Sequence, residues 1–110
     1  MTVDLLIRYK GDDHGIICPI AASDFFRKHW VPVFEALNLH SIWLYETAKG
    51  LSLDEVISVL NDLSAFRKAI DQKTDISQET RSFIFYRVDY LVSQLENAVS
   101  KWSDVVDIYI

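Results

Sequence analysis

Apolar residues in this chain change their rhythm several times, and each change marks an element. Val3-Asp4-Leu5-Leu6-Ile7-Arg8-Tyr9 is β-branched and apolar enough for a strand. A loop with glycine at both ends, Gly11 to Gly15, separates it from Ile16-Ile17-Cys18-Pro19-Ile20. The two runs predict a hairpin with a longer loop. Pro19 has no N–H to give a ladder, which puts the second strand at an edge or at its end there.

From Ser23 the period lengthens. Phe26, Trp30, Val33 and Leu37 recur at spacings of four, three and four, the stripe of a helix capped by Ser23 and running to about Asn38. Pro32 falls inside it and is expected to kink the helix or split it into two short pieces. Ser41-Ile42-Trp43-Leu44-Tyr45-Glu46 is too short for an independent helix and reads as a strand, central in the sheet.

Beyond Gly50, Ser52-Leu53-Asp54-Glu55 has the form of a capping box. It opens a helix whose apolar face is Val56, Leu60, Leu63, Phe66 and Ile70, ending in the polar run to Thr74. A further helix begins near Ser77, with Ile84, Val88, Leu91, Leu95, Val99 and Trp102 as its stripe and Asp89, Ser93, Glu96 and Ser100 facing water. Val105 to Ile110 alternates as a last strand. The expected fold is therefore α+β: a single two-layer domain over residues 1–110, a small mixed sheet packed with helices in the order β-β-α-β-α-α-β.

Composition agrees with a folded chain of this size, since half of the 110 residues are hydrophobic and a quarter charged. Cys18 stands alone, which excludes an intrachain disulfide, and its apolar neighbours favour a buried thiol. The first residues lack the basic and apolar regions of an export signal, and no apolar run approaches the ~18 residues of a membrane helix. The expected location is the cytoplasm.

Candidate chemistry is sparse. His14, His29 and His40 show no i, i+4 pairing, and Asp12-Asp13-His14 reads as a solvated turn before it reads as a weak cation site. With three glycines in all, a phosphate-cradling loop is nearly excluded. A Cys18/His29 or Cys18/His40 dyad, or a nuclease built on His14 and His40, is conceivable. The nuclease would have to bind a polyanion with a net charge of −5. The expectation is a non-enzyme with no catalytic residue, cofactor or metal. Its surface favours neither nucleic acid nor membrane.

The charge itself is uneven. Residues 51–110 hold ten acids against six bases, whereas residues 1–50 are nearly balanced at six against five. The candidate partner-binding residues are Asp54, Glu55, Asp62, Asp71, Asp75, Glu79, Asp89 and Glu96. Helix N-termini favour Asp54, Glu55 and Glu79 for their own reasons. An acidic surface there would nevertheless complement a cationic partner.

The run Ile16-Ile17-Cys18-Pro19-Ile20-Ala21-Ala22-Ser23-Asp24-Phe25-Phe26-Arg27-Lys28-His29-Trp30-Val31-Pro32 is followed by Leu37-Asn38-Leu39 and Ile42. A strand ending in proline, an aromatic helix, Trp-x-Pro, Leu-x-Leu and a strand thus follow in turn. Over about residues 16–46 this resembles small bacterial immunity proteins of contact-dependent growth inhibition and polymorphic toxin systems. The resemblance implies a monomer or weak dimer that covers the active site of a cognate, basic, nuclease-type toxin domain. It carries over no site residues. The alternative is a non-catalytic adaptor or regulatory module, as a homodimer if Trp43 and Tyr45 share an uncovered strand face.

Overall fold

The computed structural model describes residues 2–12, 14–46 and 50–110. Strands β1 (Thr2–Tyr9) and β2 (Ile16–Ala22) form the expected hairpin, and β3 (Val105–Tyr109) pairs on the other side of β1. All pairing is antiparallel in the order β2-β1-β3, so the sheet is not mixed. Pro19 does lie on an edge strand, beside a register shift in β1 between Val3 and Asp4. Gly15 closes the hairpin loop at φ +74°, and a Cβ there would sit 3.0 Å from the Ile7 carbonyl oxygen.

One face of the sheet is dry. Leu5, Ile7, Cys18, Ile20 and Ile108 are fully buried against the helices. On the other face the register aligns Ile17, Leu6 and Tyr109 across the three strands, and Arg8 pairs with Asp107 through both guanidinium arms.

The first helical segment divides, as Pro32 demands. Helix α1 (Ser23–His29) and helix α2 (Val31–Ala36) meet at Trp30, with Pro32 in the first turn of α2, where its missing N–H costs nothing. Ser23 is not the cap: Ala22 occupies that position and no side chain caps α1. The buried stripe is Phe26, Trp30 and Phe34, four residues apart, while Leu37 is exposed and Val33 half-buried. Asn38 ends α2 in the left-handed region at φ 58°. Leu39 N–H reaches Phe34 O at 2.8 Å and Asn38 N–H reaches Glu35 O at 3.0 Å, a Schellman closure.

That closure delivers the chain into His40–Glu46, which is a 3₁₀ helix and not the expected central strand. With three residues per turn, Ile42 and Tyr45 fall on one side and are buried. Trp43 turns outward and is 68% exposed. Trp43 and Tyr45 therefore share no face, and the homodimer surface expected from strand alternation does not form.

Helices α3 (Leu53–Gln72) and α4 (Gln78–Ser100) pack on each other, and α4 also packs on β2. Both halves of the Ser52/Glu55 capping box are present, at 3.0 and 3.2 Å. Ser77 caps α4 through Thr80 N–H at 3.1 Å. The buried stripe of α3 uses Val59 where Leu60 was expected, leaving Leu60 half-buried. On α4, Ala98 is the buried residue of the last turn, with Val99 half-buried. Trp102 lies beyond α4, in a short 3₁₀ turn that feeds β3.

Candidate functional site

Aromatic side chains fill the space between α1, α2, the 3₁₀ helix and α3. Trp30 is stacked with Phe26 and Phe34 at 5.6 and 6.2 Å between centroids, and its ring is 4.6 Å from that of Phe66. Tyr45 closes the cluster from the 3₁₀ side, 5.4 Å from Phe26 and 6.1 Å from Phe34. Neither the Trp30 indole N–H nor the Tyr45 hydroxyl has a hydrogen-bond partner among the described residues. Burial, with a smaller contribution from the Asp62 carboxylate, pushes the Tyr45 phenol far above its ordinary value.

On the solvent side of the same segment lies a groove of about 410 Å³, between the 3₁₀ helix and the first half of α3. Asp54, Ser58 and Asp62 line one wall at spacings of four, so one face of α3 supplies them. Glu55 stands beside them. Asn38, His40, Ser41, Trp43 and Leu44 form the facing wall. Asp62 ties the two walls together: its Oδ2 accepts the Ser41 backbone N–H at 3.0 Å. Ser41 is 4% exposed, and its Oγ is buried without a hydrogen-bond partner among the described residues.

The eight carboxylates expected to meet a partner divide into two sets. Four have structural work: Glu55 in the capping box, Asp62 on Ser41, Asp75 paired with Lys73 at 3.1 Å, and Asp89 held by Arg67 at 2.8 and 3.1 Å. Hydrogen bonds from these cations hold the Asp75 and Asp89 carboxyls below the ordinary carboxylate value. Asp54, Asp71, Glu79 and Glu96 are exposed, and their carboxylates make no ion pair among the described residues. Only Asp54, Glu55 and Asp62 are brought together in the groove.

The cations of this half are largely drawn into the fold. Arg81 donates to the carbonyls of Ile70, Asp71 and Lys73, satisfying the open C-terminus of α3. Arg87 donates to Pro19 O at 3.2 Å and lies over the Phe83 ring, fastening α4 to β2. Arg67 lies over Phe85 while it holds Asp89.

The remaining sequence candidates are scattered. Cys18 is fully buried, and desolvation pushes its thiol up to about 11, the opposite of an activated nucleophile. The His29 ring lies tilted against that of Phe25 with 4.5 Å between centroids, and burial together with Lys28 and Lys73 lowers its pKa. His14 N–H donates to Asp12 Oδ1 at 3.1 Å, the expected turn bond, while Asp13 lies outside the described residues. Among the described residues, no group of three or more His, Cys, Asp or Glu side chains could hold a metal ion. No helix there is long and apolar enough to cross a membrane.

Sequence reasoning overlooked the groove because it assigned Ser41 and Trp43 to a strand. The Asp54-Ser58-Asp62 row was visible as one polar face of a helix, although nothing in the chain's order says what faces it. Compared with protein-family models, curated proteins and solved structures, the chain has no significant match in any of the three.

Proposed function

We propose that this protein is a cytoplasmic immunity protein, which neutralises a basic, nuclease-type toxin domain by binding over its active site. The observation that carries this reading is the unequal use of charge after Gly50. Arg67, Arg81 and Arg87 are engaged in holding the fold and Lys73 is paired with Asp75. That leaves Lys68 and Lys101 exposed against Asp54, Asp71, Glu79 and Glu96, whose carboxylates face solvent and make no ion pair among the described residues. The field that results attracts a cationic surface, raises its association rate and repels polyanions. An inhibitor of this kind needs shape and charge, and no reacting group.

The resemblance of residues 16–46 to immunity proteins supports the same reading, apart from its closing strand, which is a 3₁₀ helix in this chain. The alternative of an adaptor acting as a homodimer loses its strongest argument now that Trp43 and Tyr45 point to opposite sides.

Co-purification with the product of an adjacent toxin gene tests the proposal. The expected affinity is on the order of nanomolar or tighter. Association should slow on the order of tenfold when Glu79 and Glu96 are both replaced by lysine, and the native rate should fall as salt is raised. A chain that neither binds nor protects against that product would overturn it.

A further inference from the structure

We infer that the groove between the 3₁₀ helix and α3 receives an arginine side chain from a segment of the basic partner. This rests on the reading of the protein as an inhibitor of a cationic partner and names where and how that partner is gripped. Three independent features of the groove converge on a guanidinium.

The first is Trp43. Trp43 is 68% exposed at the rim of the groove, and its indole face is the strongest neutral attractor of a cation among the side chains. The second is charge: Asp54 and Asp62 lie on the opposite wall, and no lysine or arginine lines the groove among the described residues. Asp62 uses Oδ2 to hold Ser41 N–H, which leaves Oδ1 without a partner among the described residues. The third is Ser41, which lines the groove and carries a buried Oγ with no hydrogen-bond partner among the described residues. Such an atom is costly to leave unmet, and since it is closed to solvent in this conformation, a ligand N–H would satisfy it once the Ser41 side chain turns toward the groove.

A guanidinium suits this arrangement better than an ammonium. Its plane stacks on an indole while its edge presents parallel N–H groups to carboxylates, and it sheds water more readily. The groove is also open to solvent, so a side chain can enter while its backbone stays outside.

The test uses the full chain and three probes: acetyl-Gly-Arg-Gly-amide, its lysine counterpart and its glutamate counterpart, followed by two-dimensional ¹⁵N NMR at low salt. The arginine peptide is expected to shift the Trp43 indole N–H and the Ser58 and Asp62 amides, with a millimolar dissociation constant on the order expected for one side chain. Lysine should bind at least threefold more weakly, and glutamate not at all. Trp43→Leu and Asp54→Asn should each weaken the arginine peptide at least fivefold. Both sites are exposed, so the variants should keep the native spectrum elsewhere.

Shifts centred on Asp71, Glu79 or Glu96, or binding indifferent to both variants, would overturn the groove. So would equal binding of lysine and arginine. The wider reading is separable from this one. A basic toxin bound as tightly by Trp43→Leu as by the native chain removes the groove and leaves the inhibitor. An arginine peptide seated at Trp43 in a chain that protects against no toxin leaves the groove and removes the inhibitor.

Discussion

Trp30 and Trp43 are thirteen residues apart on one short stretch of chain, and the molecule uses them in opposite ways. Trp30 is wholly enclosed by Phe26, Phe34, Tyr45 and Phe66, whereas Trp43 stands largely in solvent at the rim of an acidic groove. The difference comes from the 3₁₀ helix between the two environments. It turns Ile42 and Tyr45 down into the core and Trp43 up, and Asp62 pins its first turn to α3. Burying the first indole gives stability, and leaving the second outside costs little stability and creates a surface that can recognise another molecule.

That contrast can be broken most severely from the core side. Trp30→Ala should destabilise the chain by about 4 kcal/mol, the range for deleting a large buried aromatic, as read from the urea midpoint. A loss under ~1 kcal/mol would mean that the core closes over the gap and that Trp30 is not its keystone.

The link between the two regions comes next. Asp62→Ala leaves the Ser41 N–H without its carboxylate and is expected to cost about 1.5 kcal/mol. Amide exchange should quicken first in residues 41–45, since the 3₁₀ helix loses its tie to α3. Uniform acceleration over the whole chain would instead show that this segment opens only with global unfolding.

Tyr45→Phe should act in the opposite direction. Its hydroxyl is buried without a hydrogen-bond partner among the described residues, so removing it is expected to stabilise by up to about 1 kcal/mol. A loss of similar size would reveal a partner for that hydroxyl and change the account of the core beneath the groove.

Asp89→Asn tests charge outside the contrast. The Arg67–Asp89 pair is exposed, so its expected worth is about 0.5 kcal/mol and should shrink with salt. The Asp89 carboxyl is depressed by Arg67, so the stabilisation is present above the ordinary carboxylate value of about 3.9 and is lost as pH falls through the lower folded value. The native chain should therefore lose stability on acidification more steeply than Asp89→Asn, as followed by thermal melts from pH 6 to 3.

Smallest of all is the effect of Trp43→Ser on stability, expected within about 0.5 kcal/mol, against the large loss at Trp30. A destabilisation above ~2 kcal/mol would make Trp43 part of the core and would undo the comparison.

Much of the frame was legible from residues alone. The hairpin, the split at Pro32, both long helices and the last strand follow from period, proline, glycine and capping residues. The Ser52/Glu55 box was readable because its partners are three residues apart. The stripe Phe26-Trp30-Phe34 was less so, since Val33 and Leu37 fit a helical period as well as Phe34 does. The acids Asp54, Glu55, Asp62, Asp71, Asp75, Glu79, Asp89 and Glu96 could be counted from the sequence. Their division into engaged and unpaired groups could not, since Arg67 meets Asp89 across 22 residues and Ser41 meets Asp62 across 21.

The sequence by itself determined the α+β composition, the starts of the two long helices, the lone buried thiol and the acidic excess after Gly50. These depend on near neighbours: capping reaches three residues, a helical stripe three or four, a strand two. Tertiary structure decided the rest. It set β1 at the centre of an antiparallel sheet, and it made His40–Glu46 a 3₁₀ helix although a strand matched its local pattern. Among the described residues no strand pairs with its backbone, while the aromatic cluster below accepts residues three apart. Whether an apolar run alternates or coils is settled by what it packs against, and for Trp43 that choice put an indole on the surface.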